Sequence, residues 1–126
     1  MVRKWDPLRL IDNASGWQDA GVGDVIDIHM YRNPKPPPPQ PHRASVLGEC
    51  GALPLAFPGN EDFAEGTRRY QELLGRFHGF HKSQALSAVV YTQLTNVENE
   101  RNGLLTYDRA VIQVDADKIA AANRGH

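Results

Sequence analysis

Residues 43–53 read RASVLGECGAL. A short apolar run, Ala44-Ser45-Val46-Leu47, stops at Gly48. A carboxylate, Glu49, comes next, ahead of Cys50-Gly51. An ionised glutamate at the end of a buried-looking strand can accept hydrogen bonds or serve as a nucleophile. Other polar residues close apolar runs in the same way. Asn13 and Ser15 follow Leu8-Arg9-Leu10-Ile11. His29 and Tyr31 close the run from Val25 and, two residues apart, share one strand face. Tyr91 and Gln93 share a face of a later run. Metal chemistry is an alternative use, because His78 and His81 are three apart and Asp27 and His29 two apart, and both residue types bind zinc. The two histidines fall at a helix end, however. No Cys-x-x-Cys or His-Glu-x-x-His motif is present. No metal site is expected.

The elements that must hold these groups follow from periodicity and breakers. Leu8–Ile11 is predicted as a first strand, closed by Asp12 to Gly16. Val25 to Tyr31, rich in β-branched residues, is a second. Asn33 to Pro41 is nearly all proline and is predicted as an extended surface loop. Ala44 to Gly48 is a third strand, and Pro54 to Asn60 a loop. From Asp62, Phe63, Tyr70, Leu73, Leu74 and Phe77 recur at helical spacings, with Gly75 and Gly79 ending the helix. Leu86 to Leu94 is a fourth strand. A polar loop, Asn96 to Gly103, and a short apolar piece, Leu104 to Tyr107, come before a helix over Asp115 to Asn123. A helix between the third and fourth strands favours a parallel sheet. In parallel α/β folds the strand C-termini converge on one face, where sites are built. Glu49 is thus expected in the company of the other strand ends.

The bulk properties narrow the function classes. The chain has 126 residues, 40% of them apolar, and a formal charge of −1. That balance argues against nucleic acid or an anionic membrane as partner. No apolar run approaches the roughly 20 residues of a membrane span. The first residues lack the apolar core of a signal peptide. The single cysteine excludes an internal disulfide framework and leaves the compartment open.

Four stretches, DPLRLIDNASGW, GVGDVIDIHMY, RASVLGECGAL and AVVYTQLTNVENERNGLLTYDR, occur in an order and spacing that resemble the catalytic domain of glycoside hydrolase family 2. This is the family of β-galactosidases, β-glucuronidases and β-mannosidases, and the likeness runs from about Trp5 to Val114. It implies an α/β fold over residues 1–126, the C-terminal half of a (β/α)8 TIM barrel. Strand five would be Leu8 to Asp12, strand six Val25 to His29, strand seven Ala44 to Gly48 and strand eight Ala88 to Gln93. A whole barrel takes about 250 residues. Strands one to four are therefore expected upstream, with Met1 an internal methionine, a late start or a boundary.

The resemblance also implies a retaining β-glycosidase acting on β-linked glycosides or oligosaccharides, with no cofactor. Such enzymes set two carboxyl groups about 5–5.5 Å apart across the scissile bond. Glu49 matches the nucleophile, and Tyr31 the tyrosine whose hydroxyl touches it. His29 either binds a sugar hydroxyl or is a core histidine. Asn13 and Trp17 follow strand five, and Trp17 either stacks on a sugar face or packs. Gln93 either bonds a hydroxyl or fills the barrel. The acid/base glutamate, after an asparagine at the end of strand four, would precede Met1. Asn60-Glu61 and Asn99-Glu100 do not directly follow an apolar strand run and are not expected to replace it. Hydrolysis by this chain alone is thus expected to be weak or absent. Departures from the family pattern bear on substrate choice more than on reaction type. Cys50 stands where an aromatic residue is usual, altering the wall beside Glu49. Ala52 and Pro54 replace glycines, and Asn96 an aspartate. The competing expectation is a non-catalytic half barrel that self-associates through open sheet edges.

Overall fold

The structure, a computed structural model, describes residues 1–13, 16–52 and 63–125. Ser15, the loop expected over 54–60, Glu61 and Asp62 lie outside the described residues. The elements in chain order are α1 (Val2–Trp5), β1 (Val25–Met30), β2 (Ala44–Gly51), α2 (Ala64–Gln84), β3 (Leu86–Thr92) and α3 (Ala116–Asn123). The strands form one parallel sheet in the order β1-β2-β3.

This overturns the half-barrel expectation. Among the described residues the sheet has three strands, not the four of barrel strands five to eight. The missing one is Leu8 to Asp12. Leu8 and Leu10 are 93% and 75% exposed, so the run buries no face. Its backbone is tied to a side chain instead of a ladder. Ile11 N–H donates to Asp24 Oδ2 at 2.8 Å, and Asp24 N–H returns a bond to Ile11 O at 2.8 Å. Arg3, on α1, clamps the same Asp24 carboxylate with two bonds of 2.6 and 2.7 Å. An apolar run becomes a strand only where it finds cross-strand and core neighbours, and this one finds neither.

Two further expectations change. β2 does not stop at Gly48; it runs on through Glu49 and Cys50 to Gly51. The carboxylate is therefore inside the strand, not beyond it. α2 passes both Gly75 and Gly79 and ends at Gln84. Both glycines are exposed, and each costs roughly 1 kcal/mol relative to alanine in a helix. The burial of Tyr70, Leu73 and Phe77 along the opposite stripe outweighs that cost. β3 begins at Leu86 as expected, and α3 starts where Asp115 caps it by accepting from Lys118 N–H at 3.1 Å.

The chain divides into two compact units. The first holds residues 1–50 and 80–90. Ile26, Leu47, Cys50 and Leu86 are buried in it. The proline-rich segment contributes as well, since Pro37 is buried and its carbonyl accepts from Ser45 Oγ at 3.2 Å. The second unit holds residues 51–79 and 91–126. Its core is Tyr70, Val114 and Ile119, with Leu74, Tyr91 and Leu104 against them. The Tyr70 and Tyr91 rings meet edge to face at 4.9 Å.

Candidate functional site

The site is built where β1 and β2 run side by side in the first unit. Their pairing is regular from Val25 with Ala44 to Ile28 with Leu47, then skips one residue, so that His29 lies opposite Glu49. Gly48 is the extra residue of a β-bulge. A bulge re-aims the side chains beyond it, and here it sets Glu49 beside the end of β1. Asp27 occupies the bulge. Its Oδ1 accepts Gly48 N–H at 2.6 Å. A Cβ at position 48 would overlap the Asp27 carboxylate, so only glycine fits.

Four of the expected site residues meet here. The Tyr31 hydroxyl donates to Glu49 Oε2 at 2.5 Å. His29 Nδ1 lies 3.7 Å from the same oxygen, and His29 Nε2 lies 3.8 Å from Asp27 Oδ2. Those two separations exceed hydrogen-bond length, so the imidazole sits between the two carboxylates as an electrostatic neighbour. Trp17 completes the group, with its ring 5.8 Å from His29 and 6.3 Å from Tyr31. The burial is graded. The Asp27 side chain is 3% exposed, Glu49 is 42% exposed and Trp17 is 71% exposed. A half-open carboxylate thus shares its tyrosine and histidine neighbours with an exposed indole, and the histidine also faces a buried acid.

The loop carrying Trp17 is anchored at both ends. Gly16, at φ +90°, accepts His29 N–H through its carbonyl at 3.0 Å. A Cβ there would overlap the His29 ring. Farther along, Arg43 holds the Asp19 carboxylate with bonds of 2.6 and 2.8 Å and also donates to Val25 O at 2.7 Å. The Arg43 guanidinium beside it brings the Asp19 carboxyl down to about 2. One buried arginine therefore ties the Trp17 loop to the first residue of β1 and the start of β2.

The remaining candidates lie elsewhere. Asn13 is exposed, lies against Gly23 and joins none of these contacts. Gln93 belongs to the second unit, where its amide donates to Asn102 Oδ1 at 2.8 Å and Glu100 Oε2 at 2.9 Å. The Thr92–Gln93 peptide preceding it is cis. Glu100 also lines a cavity of about 360 Å³ with Ala52, Asn99, Arg101 and Asn102. Cys50 does not alter the wall beside Glu49 as expected. Its side chain is fully buried, its thiol lies 3.4 Å from Val90 O, and burial pushes that thiol up to about 12. Asp27 was weighed from sequence only as a metal ligand. Its alternation with His29 shows that both side chains share a strand face, but its bond to Gly48 depends on the bulge. Among the described residues no group of three or more His, Cys, Asp or Glu side chains is placed to hold a metal ion. The chain matches no model of a known protein family, and no curated protein matches it.

Proposed function

We propose that Glu49 is the nucleophile of a retaining β-glycosidase site. The observation that carries this is the short Tyr31–Glu49 hydrogen bond on a half-exposed carboxylate, with the exposed Trp17 ring next to Tyr31. A phenol donating to an ionised carboxylate holds its charge and orientation. With Oε2 engaged by Tyr31, Oε1 attacks the anomeric carbon. An Oε1–carbon bond forms, and the glycosidic oxygen leaves with its electron pair and takes a proton from an acid. Water, yielding a proton to the conjugate base of that acid, then attacks the same carbon, and the Oε1–carbon bond breaks to release Glu49. The indole offers an apolar face for a sugar ring. The acid must come from outside this cluster. Asp27 is buried and committed to Gly48 N–H, which unsuits it to protonate a leaving group.

Activated glycosides test this on the chain as it is. A dinitrophenolate leaving group needs no proton, so the missing acid is no obstacle. A fluorine at the sugar's second carbon slows release of the glycosyl-enzyme and traps it. Incubation with a panel of 2-deoxy-2-fluoro-glycosides should add one sugar to the peptide bearing Glu49, and Glu49→Gln should abolish the adduct without changing the fold. A panel that leaves the wild-type chain unlabelled, or an adduct that persists in Glu49→Gln, sinks the proposal.

Self-association is a second reading, favoured by β3. It lies at the end of the strand order and exposes Ser87, Ala88 and Val90. An exposed strand invites pairing with another chain. Light scattering over a wide concentration range should show a mass that rises with concentration. A constant monomer mass rejects this reading.

A further inference from the structure

We propose that Asp27 is a positioning residue for Glu49, setting its aim through the Gly48 bulge. The inference rests on the reading of Glu49 as nucleophile.

Gly48 falls between paired positions of β1 and β2, so its N–H is outside the regular ladder. Asp27 Oδ1 takes that N–H at 2.6 Å. The second oxygen, Oδ2, faces one nitrogen of His29, whose other nitrogen faces Glu49 Oε2. Asp27 therefore reaches Glu49 through the backbone one residue before it, while Oδ2 lies against the imidazole. A carboxylate buried this deeply persists only with its oxygens engaged. Glu49, by contrast, is half exposed, so burial does not hold its rotamer. The backbone at the bulge and its neighbours Tyr31 and His29 must do so. Removing the acceptor at Asp27 strands a part-buried N–H and frees the bulge to shift.

The test separates the acceptor from mere packing. Asp27→Asn keeps an oxygen that can accept Gly48 N–H, whereas Asp27→Ala removes it. Three quantities are read in each: deuterium exchange of the Gly48 amide, the carbon-13 resonance of the Glu49 carboxyl, and the rate of trapping by the fluoro-glycoside. Asp27→Asn should keep a protected Gly48 amide and trap within about threefold of wild type. Asp27→Ala should lose protection, shift the Glu49 resonance and trap roughly 10- to 100-fold more slowly, the scale expected when a reacting group is misplaced by about 1 Å. Wild-type trapping by Asp27→Ala overturns the proposal. So does an Asp27→Asn variant as slow as Asp27→Ala with its Gly48 amide still protected. Should Asp27→Ala fail to fold, fast exchange of the Gly48 amide in the wild type or in Asp27→Asn is enough to overturn it. If no glycoside labels the wild type, the nucleophile reading falls, while the Gly48 and Glu49 resonances still report on Asp27.

Discussion

The Tyr31 hydroxyl donates to Glu49 Oε2 across 18 residues of chain, at 2.5 Å. Tyr31 follows the last residue of β1, and Glu49 lies on the neighbouring strand just past the bulge. The bond is a product of parallel pairing and of the one-residue skip at Gly48.

Tyr31→Phe keeps the ring and removes the donor. A hydrogen bond to a charged group contributes about 1.5–3 kcal/mol when water cannot replace it. Glu49 is half exposed and water can, so the stability loss should stay near 1 kcal/mol in urea melts. Trapping of the fluoro-glycoside should slow by about 10- to 100-fold, because the carboxylate loses the donor that orients it. An unchanged trapping rate would separate Tyr31 from the chemistry.

Gly48→Ala should destabilise the chain by about 1–3 kcal/mol, the usual cost of forcing atoms into filled space. The new methyl overlaps the Asp27 carboxylate. The clash has one named partner, so the effects of Gly48→Ala and Asp27→Ala should not add. The double variant should be more stable than the sum of the two losses predicts. Strict additivity in a denaturation cycle would mean that the two side chains do not meet.

Trp17→Ala should hardly change stability, since a largely exposed ring outside the core is usually worth no more than about 0.5 kcal/mol. Its effect belongs on binding. The glycoside concentration for half-maximal trapping should rise about three- to tenfold, in keeping with the loss of one aromatic contact. A large fall in melting temperature instead would mark Trp17 as a packing residue.

Acid should loosen the Trp17 loop. The Asp19 carboxyl, brought to about 2 by hydrogen bonds from Arg43 and Gly21, titrates near 3.8 when unfolded. A depressed folded value means stability that is present above 3.8 and lost as pH falls towards 2. Asp19→Asn lacks this contribution. Its melting temperature should lie below that of the wild type at neutral pH, and the gap should close between pH 3.8 and 2. A gap that stays constant down to pH 2 would show that the Arg43 pairing is not linked to folding.

The strand-forming β-branched run at Val25 and the helical repeat through Tyr70, Leu73 and Phe77 were readable because periodicity reports directly on burial. So was the gathering of Glu49, Tyr31 and His29, since adjacent parallel strands carry their ends to the same side, whereas Trp17 joins them from a loop and not from the strand expected before it. Leu8–Ile11 was misread because its strand-like composition says nothing about whether a neighbour exists to pair with it. The four-strand half barrel fell with that strand. Gly75 and Gly79 looked like helix ends because propensity is local, whereas the buried stripe that carries α2 past them is tertiary. The Asp27–Gly48 bond had no signature at all. A bulge is a mismatch between two strands, and neither strand alone reveals it.

That mismatch has a consequence for anyone who edits this protein. Along β2 the inward side chains are odd-numbered before the bulge, Ser45 and Leu47, and Cys50 takes over as the even-numbered one after it. Gly48 works as a phase change in the strand. Forcing Gly48 into a regular rung would turn the Glu49 carboxylate into the interior and the Cys50 thiol out towards solvent, inverting both chemistries without substituting either side chain, whereas deleting Gly48 would leave both facing as they do.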